Sequence, residues 1–171
     1  MASTERPMPP LDADERTTLE GWLDFYRATL ATKCAGLSEE QLRSTSVPPS
    51  PLTLLGLVQH MAEVERNWFR RVLMEEDVPA IYPPRPSNPD GRDDGFGLLD
   101  DISFETAHAT WQDEIARARA NCAARQLDDT APFMGGRVSL RWIYSHMATE
   151  YARHNGHADF LRERIDGSTG A

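Results

Sequence analysis

The chain has 171 residues, with 27 Asp plus Glu against 18 Lys plus Arg and a formal net charge of −9. A chain of this length suits one domain, which buries roughly 70% of the surface its unfolded form exposes and needs no disulfide or structural metal for stability. The acidic balance disfavours nucleic acid, whose phosphates call for clustered Lys and Arg.

Residues 1–20 carry charges and prolines where a signal peptide would need an apolar run. No stretch approaches the roughly 20 apolar residues that span a bilayer, so the expectation is a soluble, cytoplasmic protein without a membrane partner. The first helix is predicted from about Asp12 to Ala35, where Leu19, Trp22, Leu23, Tyr26 and Leu30 recur at three- and four-residue steps and Gly36 supplies a stop. Ser38-Glu39-Glu40-Gln41 reads as a capping box that opens a short helical turn, and the prolines of Val47–Pro51 break it. A second long helix is predicted from Leu52 to about Glu75, with Leu54, Leu57, Val58, Met61, Val64, Trp68, Phe69, Val72 and Leu73 forming a stripe wide enough for two neighbours. Arg66, Arg70 and Arg71 read as its solvated face.

Pro, Gly and Asp dominate Asp77 to Ile102, and a connection of this length is either a functional loop or a solvated crossover. Such a crossover lets helices two and three run parallel. Ser103 is placed to cap a third helix, Phe104 to about Gln126, with Phe104, Ala107, Trp111, Ile115, Ala118 and Cys122 on one side. Asp128 to Val138, with Pro132 and Gly135-Gly136, reads as a loop. Ser139 is placed to cap the last helix, which ends before Gly167. The four tryptophans, Trp22, Trp68, Trp111 and Trp142, read as core residues, and Cys34 and Cys122 as small buried ones. The expected fold is thus all-α: a single four-helix bundle over 1–171, ordered up-down-down-up, with 1–11 and 167–171 as flexible ends.

On the last helix Leu140, Tyr144, Met147, Tyr151, His154, Ala158, Leu161 and Ile165 step by four and three, as a packed seam does. His154 lies on the seam, and at about 100° per residue Glu150 falls about 65° from its centre. Residues four apart on a helix are neighbours, so Glu150 and His154 could grip one divalent cation, which would also neutralise a carboxylate that is costly to bury alone. Plainer roles stay open: Glu150 paired with Arg153 or Arg66, and His154 hydrogen-bonded to Tyr144 or Tyr151. His60, at the border of the second helix's stripe, is the candidate third ligand. His157 is its rival, because it forms an i, i+3 pair with His154. His146 reads as exposed or as a support beyond the ligands, and His108 as a helix residue outside the site.

The stretches Leu57–Phe69 and Glu150–Asp159, set in this helix pattern, resemble the DinB superfamily of metal-binding bundles. They are closest to an actinobacterial branch labelled mini-circle protein and related to mycothiol-dependent maleylpyruvate isomerase. The resemblance covers nearly the whole chain. It implies ligands on the second and last helices, where His60, Glu150 and His154 match, with Gly156 at the family glycine and His157 in place of the usual Gln. A Glu at 150 in place of the commoner His is similar to the isomerase, whose triad binds zinc.

What the resemblance implies is a divalent metal (zinc first, nickel or iron as alternatives), a low-molecular-weight thiol such as mycothiol as co-substrate, a small electrophile as the other substrate, and a homodimer. The activity expected is that of a metal-dependent thiol S-transferase or isomerase with no protein cysteine as nucleophile. His157 or Tyr151 would act outside the ligand set. A non-enzymatic metal-binding or stress-linked bundle, a non-haem iron enzyme built on the same two-His-one-carboxylate set, and a metal-free association module are the competing readings.

Overall fold

The computed structural model describes residues 6–82, 96–98 and 101–170. Its elements are α1 (Glu15–Cys34), α2 (Glu39–Leu42), α3 (Leu54–Arg66), a π-helical stretch (Asn67–Val72), α4 (Phe104–Ala123), β1 (Thr130–Phe133), β2 (Gly136–Ser139) and α5 (Leu140–Asp166). The protein is all-α in class, with one small hairpin. Most of the segment 77–102, including the Pro83–Pro86 and Pro89–Gly91 breakers, lies outside the described residues. The chain forms two compact units, residues 1–54 with 141–171, and residues 55–140.

In the first unit the helix ends follow from capping chemistry. Asp14 accepts from the Thr17 amide at 3.0 Å at the start of α1, and Gly36 takes a positive φ of 77° just past its end, a left-handed conformation that glycine adopts without steric cost. Ser38 and Gln41 make the reciprocal capping box at α2. Gly167, also at φ 77°, closes α5 by donating its amide to the Glu163 carbonyl.

Helices α1 and α5 run parallel, because their contacts ascend together along both. Arg141 pairs with Glu15 at 2.6 Å, the Tyr144 hydroxyl donates to Glu20 at 2.8 Å, Asn155 donates to the Tyr26 carbonyl at 3.0 Å, and Lys33 meets Asp159 at 2.6 Å. Parallel first and last helices are what an up-down-down-up order requires. Leu23, Leu30, Ile143, Met147, Tyr151, Ala158 and Leu161 form the apolar interior, so the α5 seam packs as its four-three spacing demands until Ile165, which is only half-buried. Trp22 (41% exposed) and Trp142 (47%) are not core residues. Trp22 packs against Phe25 and Tyr26 at the surface of α1, and Trp142 stacks flat on His146 one turn further along α5.

In the second unit α3 is buried on every side from Leu55 to Glu63, wider than a single stripe. The helix then widens: from Asn67 to Val72 it is π-helical, with the Leu73 amide reaching back five residues to the Trp68 carbonyl at 3.0 Å. The Asn121 side chain, on α4, donates to the Phe69 carbonyl at 3.0 Å. Together with the Arg66–Glu114 pair at 2.6 Å this sets α3 and α4 in the same direction, as a long crossover allows.

The arginines are not a solvated face. Arg66 and Arg70 both converge on Glu114, which is 97% shielded at 3% exposure, and Arg71 pairs with Glu63 at 2.9 Å. Arg71 also donates to the Val78 carbonyl, while Glu63 accepts from the Ile81 amide at 2.8 Å. These bonds fasten the chain beyond the π stretch back onto α3.

The segment expected as a loop from Asp128 to Val138 holds the hairpin. β1 and β2 pair antiparallel with Ala131 opposite Val138 and Phe133 opposite Gly136. Only Ala131 and Val138 are buried, so the alternation is too short to read as a strand pattern. Met134 and Gly135 turn the corner with φ of 46° and 78°, the two positive values of a type I′ turn. Ser139 ends β2, with α5 following directly.

Candidate metal centre

On α5 the spacing places Glu150, His154 and His157 within reach of one another. The Nε2 of His154 lies 3.1 Å from Glu150 Oε1, and its Nδ1 lies 3.2 Å from Nδ1 of His157. The His154 ring is therefore engaged on both nitrogens, by a carboxylate on one edge and an imidazole on the other. His154 is buried at 5% exposure, and Glu150 and His157 are half-buried. Glu150 pairs with His154, and Arg66 is committed to Glu114. Tyr144, proposed as a partner for His154, donates to Glu20.

On α3, His60 is buried at 3% exposure although its place on the helical wheel is marginal, because α3 is covered all round at that level. Its ring stacks on Phe96 with centroids 3.9 Å apart and planes inclined by 14°. A stacked ring cannot swing freely, so the direction of its nitrogens is constrained.

His60, Glu150 and His154 each offer one ligand atom, and these atoms all lie within 4.8 Å of one another. This is the one such group of three His, Cys, Asp or Glu side chains among the described residues. Two imidazoles and a carboxylate are donors that divalent metals such as zinc accept; the His154–Glu150 pair at 3.1 Å stands near the about 3.4 Å edge of a tetrahedral site, while the set as a whole spans up to 4.8 Å. Two imidazoles and a carboxylate leave a position open, as catalytic zinc sites do.

Of the other histidines, His157 touches His154, while His108 and His146 stand apart from this group. His108 packs between the rings of Phe104 and Trp111, and burial pushes its pKa down. His146, half-buried beneath Trp142, is likewise lowered by burial, with the Glu150 charge pulling the other way. Neither cysteine is near a role in chemistry: Cys34 and Cys122 are buried, and burial pushes the Cys34 thiol up to about 12, which leaves it protonated at neutral pH.

Three features escaped the sequence reading. Glu114 was legible in principle, since it falls at the apolar spacing of Trp111, Ile115 and Ala118 on α4, where a carboxylate demands a cationic partner. Glu63 and Phe96 carried no such signal: Glu63 meets Arg71 and the Ile81 amide beyond α3, and Phe96 itself lies in the irregular segment before α4.

No helix among the described residues is long and apolar enough to cross a membrane. No curated protein matches the chain. The profile described as mycothiol-S-transferase matches residues 18–167, a span that takes in both helices of the His60, Glu150 and His154 group. The chain belongs to the mycothiol-S-transferase family, a DinB-like lineage of helical proteins.

Proposed function

We propose that the protein is a metal-dependent transferase that joins a low-molecular-weight thiol, mycothiol or a close analogue, to a small electrophile, with His60, Glu150 and His154 as the ligands of a zinc ion. The convergence of those three side chains within 4.8 Å carries the reading, and the family match supports the thiol. The single match over 18–167 supports reading the chain as one domain. When bound, zinc supplies Lewis acidity that deprotonates a coordinated thiol at neutral pH. Glu150 contributes the negative charge that offsets the cation, His154 and His60 present neutral imidazole nitrogens, and Phe96 covers one face of His60 and limits water there. The buried cysteines support a thiol brought from outside the protein rather than one of its own. Unbridged buried thiols also suit a reducing, cytoplasmic setting.

The deciding measurement is elemental analysis of protein purified without chelators, wild type beside His60→Ala, Glu150→Gln and His154→Ala. Wild type is expected to hold one zinc per chain and each variant to lose affinity by roughly tenfold or more, with helicity retained. Cobalt-substituted protein is then titrated with mycothiol. A shift of its visible spectrum supports an open position filled by the thiol. An inert spectrum favours a non-enzymatic metal-binding bundle, and iron with oxygen consumption favours oxygen chemistry.

A further inference from the structure

We propose that His157 is a positioning residue: its Nδ1 accepts a hydrogen bond from Nδ1–H of His154 and thereby commits His154 Nε2 to the cation. The inference rests on the metal reading above. It begins with the number of positions on one ring. A ligating imidazole must offer a lone pair on the nitrogen that faces the cation and must carry its proton on the other. In this protein His154 Nε2 faces the carboxylate of Glu150, its fellow candidate ligand, at 3.1 Å. A cation held by Nε2 and Glu150 would require the proton on Nδ1, and the atom facing Nδ1 is His157 Nδ1 at 3.2 Å.

An N–H in a site this shielded needs an acceptor, and leaving it without one costs about 1–3 kcal/mol. The atom that faces His154 Nδ1 comes from the residue one turn ahead on the same helix. The two rings meet edge to face, with centroids 5.2 Å apart and planes inclined by 64°, so a lone pair in the plane of one ring points toward the edge of the other. For His157 to accept on Nδ1, its own proton must sit on Nε2. Its half-buried position leaves part of the ring open to solvent.

Ligating histidines gain rigidity and basicity from such a partner, and its loss typically costs 10- to 100-fold in metal affinity. The geometry also separates hydrogen-bond acceptance from bulk. A Gln at 157 keeps a carbonyl oxygen that can accept from Nδ1–H, whereas a Leu fills similar space and accepts nothing.

The test measures zinc affinity by competition with a chromophoric chelator for wild type, His157→Gln and His157→Leu, with circular dichroism to establish equal helicity. The expected result is a roughly 10- to 100-fold loss for Leu and a value within about threefold of wild type for Gln. In zinc-loaded, 15N-histidine-labelled wild type, the His154 Nδ1–H proton is expected to be resolved and slow to exchange; in His157→Leu it is expected to exchange rapidly. Equal zinc affinity in folded wild type and Leu variant overturns the role of His157 while leaving the metal site standing. Equal losses in Gln and Leu also overturn it, since bulk or helix context rather than acceptance would then be at stake. Failure of wild type to bind zinc at all, with Glu150→Gln indistinguishable from it, overturns the metal reading and this inference together.

Discussion

Single residues in this protein are decided by what they must be paired with. Glu114 lies among apolar neighbours on α4 and is tolerable there because Arg66 and Arg70 both reach it, at 2.6 and 3.0 Å. Removing one member of a buried ion network leaves the rest uncompensated. Glu114→Gln is expected to cost about 3 kcal/mol, read as a lower urea midpoint. Cys34 obeys the opposite rule, as a neutral group kept neutral by burial. Iodoacetamide at pH 8 is expected to leave it unmodified until denaturant is added. Because its folded pKa is raised from 9.0 to about 12, the folded state holds the proton more tightly than the unfolded chain. The corresponding stability is complete below pH 9 and is lost as pH rises toward 12. At this scale the seam of α5 was readable from spacing, because burial there repeats with the helix. Trp22 and Trp142 were not, since a large ring at a helical step can lie against its own helix as well as in a core.

Elements were legible where a side chain caps them. Ser38 with Gln41, Ser103 with the Thr106 amide, and the left-handed Gly36 and Gly167 mark ends that the backbone requires. The hairpin and the π stretch were illegible for a common reason: each depends on a short departure from a regular period, and period was the signal. The hairpin's turn can be tested directly. Met134 is 90% exposed and takes a left-handed φ that disfavours a side chain of its kind. Met134→Asn is expected to raise stability by up to about 1 kcal/mol in urea unfolding. Gly135→Ala is expected to lower it by about as much. A Cβ at 135 would meet nothing within 4 Å, so the whole effect there is one of backbone conformation.

For the molecule as a whole, the class followed from the long apolar periods, and the parallel run of α3 and α4 from the length of the crossover. The candidate site divided differently. Glu150 and His154 were readable as a pair because one helix carries both, whereas His60 comes from a distant part of the chain, where spacing selects it only weakly and resemblance to a family strengthens the choice. If these three hold zinc, then ligand binding and folding are linked. Saturating zinc is expected to raise the melting temperature and chelator to return it to the metal-free value, with Glu150→Gln insensitive to both in differential scanning calorimetry. The sequestered thiols have a consequence for a catalyst of this family. A protein that handles a reactive sulfur compound also meets its oxidised disulfide form, and an accessible cysteine would be captured as a mixed adduct. With Cys34 and Cys122 walled off inside the packed helices, the proposed thiol co-substrate could be depleted by oxidative stress without covalently poisoning the protein.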